Sequence, residues 1–186
     1  MFDVHCQTHS LRRQRFEIAT WNANALLHRK RSAKTRKFRK LRELRSATVI
    51  LLQETHATQA RAAALLPPEF RNKFHIEASS CVRPGAGGVT TLVSHDWALS
   101  EHITHFEYVP GRILRTEIRH ANHTCVFWNI HMFNIPDDQL DHALAAMDAD
   151  VVASREHPQD STLWIGGDFN FLTPRRGSHD SSCAAP

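Results

Sequence analysis

Apolar positions along this chain follow two rhythms. From Phe16 to Trp21 apolar and polar residues alternate, the period-two signature of a strand, and the run ends in Asn22, Ala23 and Asn24. Thr48 to Leu52 is continuously apolar, which predicts a strand buried on both faces; Gln53, Glu54, Thr55 and His56 follow it. Further strands are predicted at Phe74–Glu77, Val89–Val93, Ile103–Val109, Ile113–Arg119, Thr124–Ile130 and Thr162–Ile165, the last running into Gly166, Gly167, Asp168, Phe169 and Asn170. If the extended backbone persists past Gly167, Asp168 and Asn170 point the same way.

Helical spacing is sparser. Lys34 to Arg45 carries Phe38, Leu41 and Leu44 on one stripe. A short helix is predicted from about Thr58 and stops before Pro67 and Pro68. After Pro136, Asp137 is placed to cap a helix whose Leu140, Ala143, Leu144, Met147 and Val151 share a face. Strands outnumber helices, and the helices fall between groups of strands. That order predicts an α+β fold, with two sheets packed face to face and helices outside.

Composition adds one asymmetry to an ordinary globular balance. Thirteen of the 23 basic residues lie between Arg12 and Arg45, against two of the 19 acidic ones, so the positive charge is local. Such a patch suits a polyanion such as DNA, with Arg36, Lys37, Arg39 and Lys40 as its candidate contacts. The same residues also describe the solvated face of an amphipathic helix. Cys6, Cys81, Cys125 and Cys183 have no paired spacing for zinc, so free thiols in a reducing, intracellular setting are expected, the nucleus included. No apolar run approaches the roughly 20 residues that span a bilayer, so no membrane partner is expected.

The candidate chemistry lies where three strands stop. Asn22, Glu54, and Asp168 with Asn170 are hard oxygen donors and amides, a set suited to Mg²⁺, or Mn²⁺ in its place, together with phosphate oxygens. Strand ends are also ordinary places for turns. Only a fold that brings the three ends together makes them a site for a phosphate-ester substrate.

Six ordered segments carry a wider resemblance: Trp21-Asn22, Gln53 to His56, Gly87 to Val89, Gly111 to Leu114, Asn129 to His131 and Gly166 to Asn170. Together they resemble the endonuclease/exonuclease/phosphatase (DNase I-like) superfamily, which includes apurinic endonucleases, inositol polyphosphate phosphatases and sphingomyelinases. The wording at Gln53–His56 and Gly166–Asn170 is most similar to the endonuclease domain of non-LTR (LINE-type) retrotransposons.

The resemblance spans about 16–174 and implies one domain there, a four-layer α/β sandwich, with flexible tails at 1–15 and 175–186. It implies Glu54 as the principal metal ligand, with Asn22 beside it. It also implies Asp168 on the attacking water, Asn170 on the phosphate, and Arg112 as a phosphate contact. His131 stands where many nucleases of the family carry tyrosine; DNase I-like and sphingomyelinase-like members have histidine there, and an imidazole can donate a proton to the leaving oxygen.

Family members end in a Ser-Asp-His motif. Here Ser178, His179 and Asp180 hold those letters in another order, soon after Asp168. The expectation is a C-terminally truncated domain lacking part of one sheet. Three functions remain open from the sequence: a Mg²⁺-dependent DNA endonuclease of retroelement origin, whose activity that truncation puts in question; a phosphatase or lipid phosphodiesterase; and an inactive remnant that binds nucleic acid.

Overall fold

The computed structural model describes residues 16–27, 31–80, 86–120 and 122–170. The expected tails, Ser178 to Asp180, and Cys6, Cys81 and Cys183 lie outside them. Among the described residues, eight strands form two four-stranded sheets. The first runs β1 (Ile18–Asn22), β2 (Val49–Gln53), β4 (Val89–Ser94), β3 (Phe74–Ser79) across its width. The second runs β5 (Ile103–Val109), β6 (Ile113–His120), β7 (His123–His131), β8 (Ser161–Asp168). Each sheet is antiparallel except for one parallel pair at its edge, β1 with β2 and β7 with β8. A parallel pair needs a long crossover; α1 (Arg31–Glu43) lies between β1 and β2, and α4 (Asp137–Glu156) between β7 and β8.

Strand alternation then builds three apolar layers. In β2, Ile50 and Leu52 face the helices with Leu41 of α1 and Ala62 of α2 (Gln59–Leu65), while Val49 and Leu51 face the other sheet. In β7, Phe127 and Cys125 join Val49 and Leu51 between the sheets, whereas Val126, Trp128 and Ile130 pack on Ala143 and Met147 of α4. The order is helices, sheet, sheet, helix, the four-layer sandwich expected. Burial between the sheets pushes the Cys125 thiol up to about 11, which keeps it unreactive near neutral pH. No helix among the described residues is long and apolar enough to cross a membrane.

Several expected boundaries shift. The helix from Thr58 does stop before the prolines, and a one-turn helix, α3 (Pro68–Arg71), starts at the second of them, because Pro68 sits in the first turn, where its missing N–H costs nothing. Pro136, not Asp137, is the N-cap residue of α4 and offers no side-chain cap; Asp137 and Asp138 instead stabilise the positive end of the helix dipole from the first turn. Leu144, expected in the buried stripe, is 40% exposed.

Three histidines meet at the edge formed by β3 and β5. The His75 and His95 rings lie edge to face at 4.0 Å, and His105 Nδ1 is 3.0 Å from Thr116 Oγ1. Burial, then the neighbouring His75, lowers the His105 pKa to about 4, and His75 is lowered by burial and His95. Between pH 6.5 and 4 the unfolded chain takes up a proton that folded His105 refuses, so stability falls as pH falls through that window. Glu77, raised by burial and Glu107, acts in the opposite sense. The net acid loss attributable to His105 is expected at about 2 kcal/mol after allowance for partial solvent access. Thermal melts from pH 7 to 4.5 should show it, and His105→Gln should flatten the slope; an unchanged slope would exclude His105 as the cause.

Candidate active site

Each sheet contributes its parallel pair. Asn22 and Gln53 are paired residues at the ends of β1 and β2, and His131 and Asp168 are paired at the ends of β7 and β8. The three strand ends singled out in the sequence therefore do meet, but Asp168 arrives from the opposite sheet, not from a neighbouring strand. Ligand atoms of Glu54, His131 and Asp168 all lie within 4.8 Å of one another.

Asn22 ties the group together. Its Nδ2 donates to Glu54 Oε1 at 3.3 Å and to Asp168 Oδ2 at 2.5 Å, while its Oδ1 accepts from the Asn24 amide. Two carboxylates this close, bridged by a neutral amide, make an unbalanced negative charge, and hard oxygen donors of this kind fit a divalent cation. Glu54 is delivered with a left-handed backbone, φ 50°, as is His56 at 53°. A conformation so costly for an L residue persists only where its surroundings enforce it. Here the Ala25 amide donates to Glu54 O at 2.6 Å, Thr55 N to Gly88 O at 3.0 Å and His56 N to Gly87 O at 2.9 Å. Gly88 has φ +86°, and a Cβ there would meet Thr55 Oγ1 at 3.0 Å.

The lacing continues across the sandwich. Gly88 N donates to Gly111 O, His131 N to Arg112 O and Met132 N to Asp168 O, at 2.8 to 3.0 Å. Five of the six sequence segments are thus one hydrogen-bonded line of loops, which also reaches Ala25 beyond Asn22.

His131 is held neutral. Arg112 Nη1 donates to its Nδ1 at 2.6 Å, so the ring proton sits on Nε2, 3.3 Å from Glu54 Oε1. Burial, then the Arg112 charge, lowers its pKa and outweighs the pull of Glu54 and Asp168. The imidazole is a hydrogen-bond donor aimed at the carboxylates. Arg112, foreseen as a phosphate contact, reaches the site through this histidine.

Asn170 is placed differently from the extended reading. β8 stops at Asp168, and Asn170 turns into the left-handed region at φ 44° with its amide on Asp168 Oδ1 at 3.1 Å. The two side chains do not project in strand register; an Asx turn has replaced the extension. In α1, Arg36, Arg39 and Lys40 are exposed, whereas Lys37 is half-buried with Nζ on Ala25 O at 3.1 Å. Burial and Arg36 lower the Lys37 pKa, and Glu54 pulls it back up. Lys40 is engaged with Glu43 at 2.6 Å.

One pair went unassigned in the sequence. Gln53 Nε2 donates to Asn129 Oδ1 at 2.8 Å, and Asn129 Nδ2 reaches Thr90 O at 3.0 Å, both residues almost wholly buried beneath the site. This amide bridge joins the two sheets. The signal was available: each is a polar residue at a buried position of an apolar strand.

Comparison with known proteins agrees with this fold. Residues 19–184 match the family described as Endonuclease/Exonuclease/phosphatase family. No curated protein matches the chain. Among solved structures it is similar to TDP2 from Caenorhabditis elegans, at 17% identity and a TM-score of 0.54 over 84% of this chain and 48% of that one. It is also similar to D. rerio TDP2 complexed with single strand DNA product, at 14% identity and 0.51, covering 84% and 61%. A third is the 3′ phosphatase NExo from Neisseria bound to a product DNA hairpin, at 15% and 0.50, covering 84% and 58%. The chain spans about half the length of the first of these structures, and at such identities the likeness is one of fold.

Proposed function

Because the chain belongs to the Endonuclease/Exonuclease/phosphatase family, we propose that it is a metal-dependent phosphodiester hydrolase acting on DNA. The observation that carries this is the convergence of Glu54, His131 and Asp168 from both sheets onto one spot. Glu54 and Asp168 would hold a divalent cation, Mg²⁺ or Mn²⁺, which when bound neutralises charge on the phosphate and so favours attack by water. Asp168 accepts a proton from the attacking water, and Asn22 keeps its carboxylate fixed beside Glu54. His131 donates a hydrogen bond from Nε2–H to the phosphate as negative charge develops there, and Arg112, donating to Nδ1, holds the imidazole in that tautomer. Asn170, on the exposed turn after Asp168, contributes its side-chain amide to the phosphate, its backbone N–H being held by Asp168 Oδ1.

DNA as substrate is supported by the product DNA bound in two structural neighbours and by exposed Arg36 and Arg39 on α1. The wording at Gln53–His56 and Gly166–Asn170 supports a finer reading, an endonuclease of non-LTR retroelement type, whose genetic mark is an adjoining reverse-transcriptase reading frame. Nicking of supercoiled plasmid in Mg²⁺ tests the function. Glu54→Ala and Asp168→Ala are each expected to lose on the order of 10³-fold in rate. Equal nicking by both variants and the unaltered chain would sink the assignment.

A further inference from the structure

Among the described residues, Phe133 is the large apolar side chain beside the site that the fold leaves in water. It is 50% exposed, while Met132 and Ile135 on either side pack against the layer under α4. Its position is fixed: Met132 N is bound to Asp168 O at 2.8 Å, and Phe133 N to His131 O at 2.9 Å. The ring lies nearly parallel to the His131 imidazole, 11° between planes with centroids 6.1 Å apart, and the Arg112 guanidinium sits 5.5 Å from its centroid.

A flat aromatic face held rigidly beside a cation and a phosphate-type site suits a ligand that carries a π face next to an anion. We propose that Phe133 is a stacking shelf for an unpaired nucleobase adjoining the phosphate that sits at Glu54, His131 and Asp168. This rests on the reading of that site as a DNA hydrolase, and it names the form of substrate: a strand whose base is out of the duplex stack. An inositol ring has no π face to offer. An acyl chain would need a wider apolar surround than one ring flanked by Arg112 and the exposed Asn134. Stacking of this kind tolerates any base, so it selects unpaired structure over sequence.

The test is binding in EDTA, where no metal-dependent cleavage proceeds, with a single-stranded oligonucleotide carrying 2-aminopurine and with a base-free sugar-phosphate oligomer of equal length. Phe133→Ala is expected to weaken the oligonucleotide about 5- to 100-fold and to abolish the quenching of 2-aminopurine, while Phe133→Trp keeps both. The base-free oligomer should bind Phe133→Ala and the unaltered chain alike, and the two should melt at the same temperature. Unchanged oligonucleotide binding and quenching in Phe133→Ala would overturn the shelf, as would an equal loss with the base-free oligomer. Because no turnover is measured, this outcome is separable from plasmid nicking: loss of quenching with a chain that nicks nothing would leave the shelf standing and remove the hydrolase.

Discussion

Gly167→Ala is expected to cost about 3 kcal/mol or more and to leave little soluble, folded protein. A Cβ on Gly167 would lie 1.9 Å from Ile130 O, 2.7 Å from Ile130 C and 2.8 Å from Ile130 N. All three are backbone atoms of the residue paired with Gly167 across β7 and β8. No side chain can rotate away, so the strands themselves must part, and φ +152° at Gly167 is in any case one that an L residue rarely adopts. The adjacent Gly166→Ala is the internal control. Its Cβ would meet Leu51 Cδ1 at 3.1 Å, the far end of a flexible side chain, so a loss within about 1 kcal/mol is expected. Urea denaturation of both variants checks this. Equal losses would mean that the close approach of β8 to β7 is not what requires the second glycine. Should Gly167→Ala remain folded, its plasmid nicking should still collapse, because Asp168 hangs on the next residue and shares the β7 pairing with His131.

That contrast shows what local pattern can and cannot report. Every strand was legible from alternation or continuous apolar runs, because each β residue answers to the layer it faces: Ile50 and Leu52 to the helices, Val49 and Leu51 to the other sheet. The candidate residues Asn22, Glu54 and Asp168 were legible as polar ends of such runs. What the pattern left open was which ends meet. His131 and Arg112 lie 19 positions apart yet touch only because β6 and β7 pair in one register, and Asp168 reaches Glu54 only because the two sheets stack. The extended reading of Asn170 failed for a local reason, since the Asp168 carboxylate captured the Asn170 amide and bent the chain. The buried Gln53 and Asn129 pair spans 76 positions, a separation that no periodicity can see.

Asp150→Ala is expected to cost about 3 to 5 kcal/mol, a large share of the stability of an ordinary domain. Asp150 on α4 takes two hydrogen bonds from Arg115, at 2.8 and 3.0 Å, and one from the Trp128 indole at 2.8 Å. Arg115 and Trp128 are directly paired across β6 and β7, so one carboxylate clamps the crossover helix to both strands. Burial alone would pull the Arg115 pKa down, but Asp150 and Glu117 outweigh it and hold the guanidinium firmly charged. Burial likewise pushes Glu117 up, and Arg115 and Arg119 bring it below the usual carboxylate range. Without Asp150, a cation with 11% of its side chain exposed keeps Glu117 as its anionic partner beside the Phe106 ring, and the wholly buried Trp128 loses its acceptor. Leaving such groups unpaired is what costs, not the loss of an attraction. Asp150→Asn, which keeps one acceptor, should therefore fall between. Lys40→Ala, from an ion pair whose side chains are 55% and 57% exposed, should stay within about 0.5 kcal/mol. Urea titrations at pH 7 distinguish these cases, and a loss under about 1 kcal/mol in Asp150→Ala would contradict the clamp. Added salt separates the mechanism further: screening weakens exposed pairs far more than buried ones, so 1 M NaCl should leave the Asp150→Ala deficit nearly intact. The same deficit bears on the site, because α4 is the connection that returns the chain to β8 and sets Asp168 beside His131.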